Sequence, residues 1–272
     1  MKRHEKQQQS ENLVYYTYQV FEPFSSQLIC ITSTRLGGVS EGPLHSLNLS
    51  TRVGDDEQRV ATNRLRLFAL MNMEPKRVAQ AQLVHGNHIE VITEQSPKGF
   101  SHKFPATDGL VTNMAQAPLF IPVADCAAVA FFDPQQRVIG MLHAGWKGIV
   151  HRIIPTMVET MHTVYGSDVS NILVGVSPCL GPCCYQVRED FIQTFVEAFP
   201  TKAQDFFIPQ SDDTVHFDMW AALHWQLGES GILAEHIEGP AVCTACQVDE
   251  FYSYRKERGN TGRFASAIML LS

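Results

Sequence analysis

The sequence predicts an α/β fold with a mixed sheet, in one layered domain spanning residues 13–272 behind a flexible tail of residues 1–12. Three observations lead there. β-rich runs and amphipathic helical segments alternate along the chain, hairpin signals interrupt the βαβ rhythm, and no repeat or Pro/Gly/Ser linker divides the 272 residues. Residues 1–12 are polar and charged, which is why they read as a tail. Residues 28–34 read as a strand entering a turn built on Gly37, Gly38, Gly42 and Pro43.

Asp56 is placed to cap a helix whose Val60, Leu67, Phe68 and Met71 recur at helical spacing, with Pro75 as its stop. Short strands are expected at 78–83, 89–93 and 110–112, followed by two stronger ones at 119–132 and 138–143. Residues 148–165 form a helical pattern with Ile149, Ile153, Ile154, Met157 and Met161 on one face, and Pro155 should kink it or shift its start. A strand at 172–176, helices at 188–199 and 218–229, and closing strands at 251–254 and 264–271 complete the list.

Composition narrows the function. An apolar fraction of 44% leaves a large core, and 28 acidic against 21 basic side chains give a formal charge of −7, which argues against nucleic acid as a partner. No segment approaches the roughly 18 consecutive apolar residues of a membrane span, and no apolar run follows the polar N-terminus, so a cytoplasmic protein is expected. In that compartment the seven cysteines stay reduced, and their clusters read better as metal-binding or catalytic groups than as disulfides.

Asp133, Pro134, Gln135 and Gln136 are turn formers between two apolar runs and predict an antiparallel hairpin. With those four as the loop, Phe132 faces Arg137 and Cys126 faces His143, at a Cβ separation of about 4.5–5.5 Å that lets sulfur and imidazole share one ion. Zinc takes such donors in a tetrahedron. A third ligand could come from His85 or His88, which flank Gly86 and Asn87. Three protein ligands leave a fourth position for water, which zinc acidifies to near neutral pH. Asp125 would serve as a proton shuttle only if the strand is irregular there, because alternation sends adjacent side chains to opposite faces. The same hairpin without metal offers Cys126 as a nucleophile and His143 as its base. The plainest reading, a small buried thiol beside a hydrogen-bonded histidine, stands next to both.

Several stretches together resemble the bacterial family of multicopper polyphenol oxidases, or laccase-domain proteins, which includes purine nucleoside phosphorylases with adenosine deaminase activity. They include Ser33-Thr34-Arg35, Gly37-Gly38-Val39-Ser40, Ser46-Leu47-Asn48-Leu49, Val53-Gly54-Asp55-Asp56 and Asn63-Arg64. Further along are Val84-His85-Gly86, Ala106-Thr107-Asp108-Gly109, Ala124-Asp125-Cys126, His143-Ala144-Gly145-Trp146-Lys147-Gly148, Gly181-Pro182-Cys183-Cys184-Tyr185, Cys243-Thr244 and Gly262-Arg263-Phe264. The resemblance implies that His85, rather than His88, joins Cys126 and His143 as ligands of one zinc ion in a surface cleft. It also implies activity on adenosine, inosine, guanosine and methylthioadenosine, with nucleosides and phosphate as the partners. One departure is Gln186, where the family usually has Glu.

Phosphate requires cationic and amide donors, and Arg35, Asn48, Arg64 and Lys147 in the motif-rich segments are the candidates. Each also has a structural reading: Arg64 as a helix surface residue, Asn48 as a turn brace. Trp146 can stack on a base or pack on the sheet. Cys179, Cys183, Cys184, Cys243 and Cys246 are expected as buried thiols, although Cys243 and Cys246 have the two-residue gap of zinc and redox pairs. Two other functions compete: a cysteine or zinc hydrolase acting on a peptidoglycan precursor, and a copper oxidase of phenols. The copper reading is the weaker, since the 11 histidines form no His-X-His pairs.

Overall fold

Along strand Ala127–Asp133 the side chains part by parity, with Ala127, Val129 and Phe131 entering one apolar core and Ala128, Ala130 and Phe132 another. A strand buried on both faces has that period of two. Strand Val138–Ala144 divides likewise: Val138, Leu142 and Ala144 join the first core, Ile139 and Met141 the second. In strand Phe264–Leu270 the same alternation sends Phe264, Ile268 and Leu270 to the second core and Ala265, Ala267 and Met269 to a third.

Three cores separate four layers. The computed structural model describes residues 1–8, 11–97, 103–240 and 242–272. Among these, one sheet runs in the order Lys2–Gln8, Glu11–Thr17, Leu28–Ser33, Phe264–Leu270, Leu119–Val123, Ala79–Ala81, Lys103–Phe104. The sheet packed against it runs Ile237–Glu238, Leu173–Val176, Ala127–Asp133, Val138–Ala144, Gly109–Thr112, Ile89–Val91. Helix Glu57–Leu70 covers the outer face of the first sheet through Leu67 and Phe68. Helices Ile153–Tyr165, Glu189–Ala198 and Met219–Glu229 cover the outer face of the second. Parallel and antiparallel pairs occur in both sheets, so this is the mixed α/β architecture that the alternation of elements predicts.

Local chemistry explains the helix ends. The Asp56 carboxylate accepts from the amides of Gln58 and Arg59, and Asp218 caps Met219–Glu229 by accepting from Ala221. The helical pattern at 148–165 is broken into Trp146–Val150 and Ile153–Tyr165 at Arg152, whose φ is 62°. Pro155 therefore sits in the first turn of the second helix, where its missing N–H leaves no bond unmade.

Several expectations need correction. Residues 1–12 are not a tail as far as they are described: Lys2–Gln8 pairs antiparallel with Glu11–Thr17, and Arg3 donates to Glu250 at 2.6 Å. Polar composition concealed an edge hairpin. Residues 119–132 are two strands in different sheets, because at Asp125, with φ 80°, the chain leaves the first sheet for the second. Residues 251–254 are not a strand. Phe251 and Tyr252 are fully buried there, and apolar content in a turn-rich segment imitated a strand.

The hairpin register also shifts by two. Asp133 pairs with Val138, so Pro134 to Arg137 form the loop, and the Asp133 carboxylate accepts from the amides of Gln135 and Gln136. A shift of two leaves every side chain on its face.

Phe132, fully buried between the two sheets, meets Phe21 and Phe24 edge to face. Phe132→Ala is expected to lower stability by about 3–5 kcal/mol. A denaturant titration checks this through a lower midpoint at unchanged slope.

Candidate metal centre

His143 lies opposite Ala128 in the hairpin, and Cys126 precedes Ala128 by two residues, so parity puts thiol and imidazole on the same side, towards the gap between the sheets. Sulfur and imidazole are diagonal neighbours rather than directly opposed. The left-handed backbone of Asp125 supplies the bend that turns Cys126 to His143. The segment carrying His85 arrives from another part of the chain, and His85 itself is left-handed, with φ 61°.

One carboxylate joins the two parts. Asp108 is fully buried, and it accepts the amides of Val84 at 3.2 Å, His85 at 3.0 Å and Gly86 at 2.7 Å. Its Oδ1 also meets His143 Nδ1 at 2.9 Å, and its carbonyl accepts the His143 amide at 2.7 Å. With Nδ1 committed to Asp108, Nε2 of His143 is the nitrogen left for a ligand. Burial pushes the Asp108 carboxyl up, but His143 and the Gly86 and Val84 amides outweigh it and hold the group below the usual carboxylate range.

Ligand atoms of His85, Cys126 and His143 lie within 4.8 Å of one another. The His85 and His143 rings meet edge to face at 4.7 Å. Gly145 lies against the donors, and a Cβ built there would stand 2.9 Å from the Cys126 sulfur and 3.2 Å from His85 Nδ1. Glycine is thus required by proximity to the donors.

Burial raises the Cys126 thiol, yet His143 and His85 more than offset it and bring it down to about 6. Burial likewise lowers His143, and the Cys126 thiolate with Asp108 reverses that, lifting the imidazole to about 9. Thiol and imidazole thus favour the thiolate–imidazolium pairing, and a metal ion bound there would take the place of the proton. Two imidazoles and a thiolate, one of them braced by a carboxylate, fit a zinc-type ion with a coordination position left open.

The three residues line a pocket of about 510 Å³. Cations also line it: Arg52, Lys103, Arg255 and Arg263. Lys103 lies near enough to Arg52 and Arg64 for their charge, after burial, to depress its ammonium. Gln80, also in the wall, is 3% exposed, and its Oε1 has no hydrogen-bond partner among the described residues.

Of the phosphate candidates from sequence, none is in this wall. Arg35 donates to the carbonyls of His45 and Val248, pairs with Glu257 at 3.0 Å and stacks on Tyr252. Asn48 is fully buried, donating to Ser50 and Asp55 and accepting the Arg263 amide. Arg64 is inward on its helix, bonded to the Leu49 carbonyl and above the Phe120 ring, so the surface reading fails too. Lys147 is exposed, 5.5 Å from the Trp146 ring.

Arg35, Asn48 and Arg64 brace the segments around the pocket. Arg52 and Lys103 carried no motif signal that could have singled them out. Gln80 was equally silent, since an orphan oxygen is visible only in three dimensions. Gln186 is exposed, and its carbonyl accepts Arg255 Nη1 at 2.8 Å.

The strand is irregular at Asp125, which was the condition for its facing the site. Its carboxylate accepts from Thr244 Oγ1 and the Arg255 amide, both at 2.6 Å. Burial raises that carboxyl beyond what these bonds offset. Trp146 lines the pocket and also packs against Phe191, with ring centroids 4.9 Å apart. The expectation of five buried cysteines is wrong for three of them. Cys179 and Cys243 are buried, whereas Cys183 and Cys246 are exposed and Cys184 is half-buried.

Residues 29–271 match the model of a family described as multi-copper polyphenol oxidoreductase laccase. Purine nucleoside phosphorylase YlmD of Geobacillus stearothermophilus is 32% identical over 250 residues, covering 90% of this chain and 91% of that protein. Purine nucleoside phosphorylase YfiH of Escherichia coli is 32% identical over 240 residues, covering 88% and 93%. The crystal structure of YlmD from Geobacillus stearothermophilus superposes with a TM-score of 0.88 at 30% identity, over 98% of each chain.

In metal-stripped protein, alkylation of Cys126 followed by peptide mass spectrometry is expected to rise with pH around a midpoint near 6. His143→Gln removes the partner charge and should move the midpoint towards the ordinary thiol value of about 8.5. An unmoved midpoint would mean that His143 does not hold the thiolate.

Proposed function

Because the chain belongs to the multi-copper polyphenol oxidoreductase laccase family, with relatives named purine nucleoside phosphorylases, we propose that it cleaves purine nucleosides with phosphate. The proposal extends to methylthioadenosine as a substrate and to deamination of adenosine, with His85, Cys126 and His143 as ligands of one zinc ion. The observation that carries it is the convergence of these three side chains in the wall of a pocket whose other cations fit phosphate.

Zinc held by three protein donors supplies a Lewis acid and a source of hydroxide near neutral pH, which is what attack on C6 of adenine requires. The remaining work belongs to the chain. Arg52 and Lys103 both line the pocket, and burial with the charges of Arg64 and Arg52 disfavours the Lys103 ammonium, an arrangement that an anion relieves, so the two are assigned the phosphate. In phosphorolysis a phosphate oxygen bonds to C1′ while the bond from C1′ to the base breaks, and the departing purine takes up a proton. Asp125, held by Thr244 and the Arg255 amide and raised by burial, is the assigned proton carrier. Gln80 Oε1 is a buried acceptor without a donor among the described residues, and a base amino group or a ribose hydroxyl would satisfy it.

The closeness of the Cys126 sulfur to the His143 imidazole favours a second reading. A thiol lowered to about 6 beside an imidazole raised to about 9 is also the pair of a cysteine hydrolase, the class that would edit a peptidoglycan precursor. A copper oxidase finds less support, since the described residues bring two imidazoles and one thiol to this site and only thiols to the other His/Cys cluster.

Purified protein given adenosine and phosphate is expected to release adenine with ribose 1-phosphate, and inosine by deamination. Release of none of these by metal-replete protein would end the nucleoside reading. Cys126→Ser should lose the zinc of this site and activity together, whereas lost activity with this site still fully occupied would identify Cys126 as the nucleophile. Lys103→Ala is expected to raise KM for phosphate about 10- to 100-fold, the loss of one charge-assisted hydrogen bond, with KM for nucleoside little changed.

A further inference from the structure

A second set of side chains converges beside the first, and neither the pocket nor the proposed chemistry uses it. Cys183 and Cys184 lie in the turn after Gly181, Cys243 and Cys246 in the turn after Val242. The Cys179 amide donates to the Val242 carbonyl, and the Thr244 amide to the Cys179 carbonyl, so backbone bonds fasten the turns together. All four sulfurs lie within 4.8 Å of one another, with Cys246 at 3.4 Å from Cys183 and 3.5 Å from Cys184. A tetrahedral ion with sulfur at about 2.3 Å spaces its ligands about 3.8 Å apart. The 3.4 Å separation is far longer than a disulfide bond of about 2.05 Å.

We propose that Cys183, Cys184, Cys243 and Cys246 hold a second, structural metal ion of the zinc type, closed by four thiolates. Two of these side chains are exposed, where a free thiol adds nothing to packing, and they give the ion its way in. Cys243 is the nucleus: burial raises its thiol, but the amides of Gly181, Cys246 and Ala245 outweigh this, and the Gly181 N–H reaches its sulfur at 3.3 Å. Its neighbours go the opposite way, Cys184 to about 11, because burial and adjacent sulfurs oppose further ionisation. Four thiols at these separations suit a soft cation, whose binding would release their protons.

The ion would also stiffen the first site. The Leu180 amide donates to the Asp125 carbonyl at 2.8 Å and Thr244 Oγ1 to its carboxylate, so both cysteine turns hold the residue next to Cys126. This inference does not depend on the substrate.

The test is metal counting by mass spectrometry on the full chain, expressed with added zinc and purified anaerobically without chelator. Wild type is expected to carry two zinc ions per chain. The Cys183→Ser/Cys246→Ser double variant should carry one, with a lower Tm. Cys126→Ser should also carry one, and X-ray absorption of that protein should read an all-sulfur shell at about 2.3 Å. If the double variant does not fold, a sulfur-rich average shell in wild type carries the proposal. One ion or none with all four thiols open to alkylation in the folded wild type would overturn it, as would a native Cys183–Cys246 disulfide.

Discussion

The candidate site depends on a single buried carboxylate. Asp108 gathers three consecutive backbone amides from the His85 segment and the imidazole of His143, parts of the chain that share no strand. A charge without water is stable only when its lone pairs are filled, and here the groups that fill them carry two of the three donors. The electrostatics follow from that arrangement. Asp108 stays ionised, His143 is pulled towards its protonated form, and the resulting positive charge stabilises the Cys126 thiolate. Asp108 therefore sets the geometry of the centre and, together with the Cys126 thiolate, its charge.

The scaffold keeps that arrangement at the mouth of the space between two sheets. Strict alternation in Ala127–Asp133 and Val138–Ala144 fills both faces with apolar side chains, and the polar donors begin only where the strands end. Left-handed residues mark the transitions: Asp125 before Cys126, and His85 itself. Backbone of this kind persists where surrounding bonds over-determine it, and Asp125 is held by bonds from Leu180, Thr244 and Arg255.

Much of this was legible in the residues. The period-two runs and the turn formers at Asp133 and Pro134 announced the hairpin, and the error of two in its register did no harm because the side-chain period is also two. Joining 119–132 into one strand was a different error. Both halves are apolar, and only the tertiary bonds of Asp125 show that the chain changes sheets there. The phosphate candidates lie outside the pocket wall because motif arginines and amides are as useful for bracing loops as for binding, and Arg35 and Asn48 direct their donors to the fold. Arg52, Lys103, Gln80 and the four-cysteine cluster become meaningful only through proximity, which no local pattern encodes. Asp108 lay within a recognised stretch, but nothing in Ala106-Thr107-Asp108-Gly109 says what the carboxylate will hold.

The central claim is that His85, Cys126 and His143 grip one ion while Asp108 holds His143 from behind. A crystal structure of the zinc-loaded protein with anomalous data on either side of the zinc edge addresses it directly. The account predicts an anomalous peak at about 2.3 Å from the Cys126 sulfur and about 2.0–2.1 Å from one nitrogen of each imidazole, Nε2 in the case of His143. No peak between the three side chains at full zinc loading, or one bound by His143 through Nδ1 with Asp108 displaced, would contradict it.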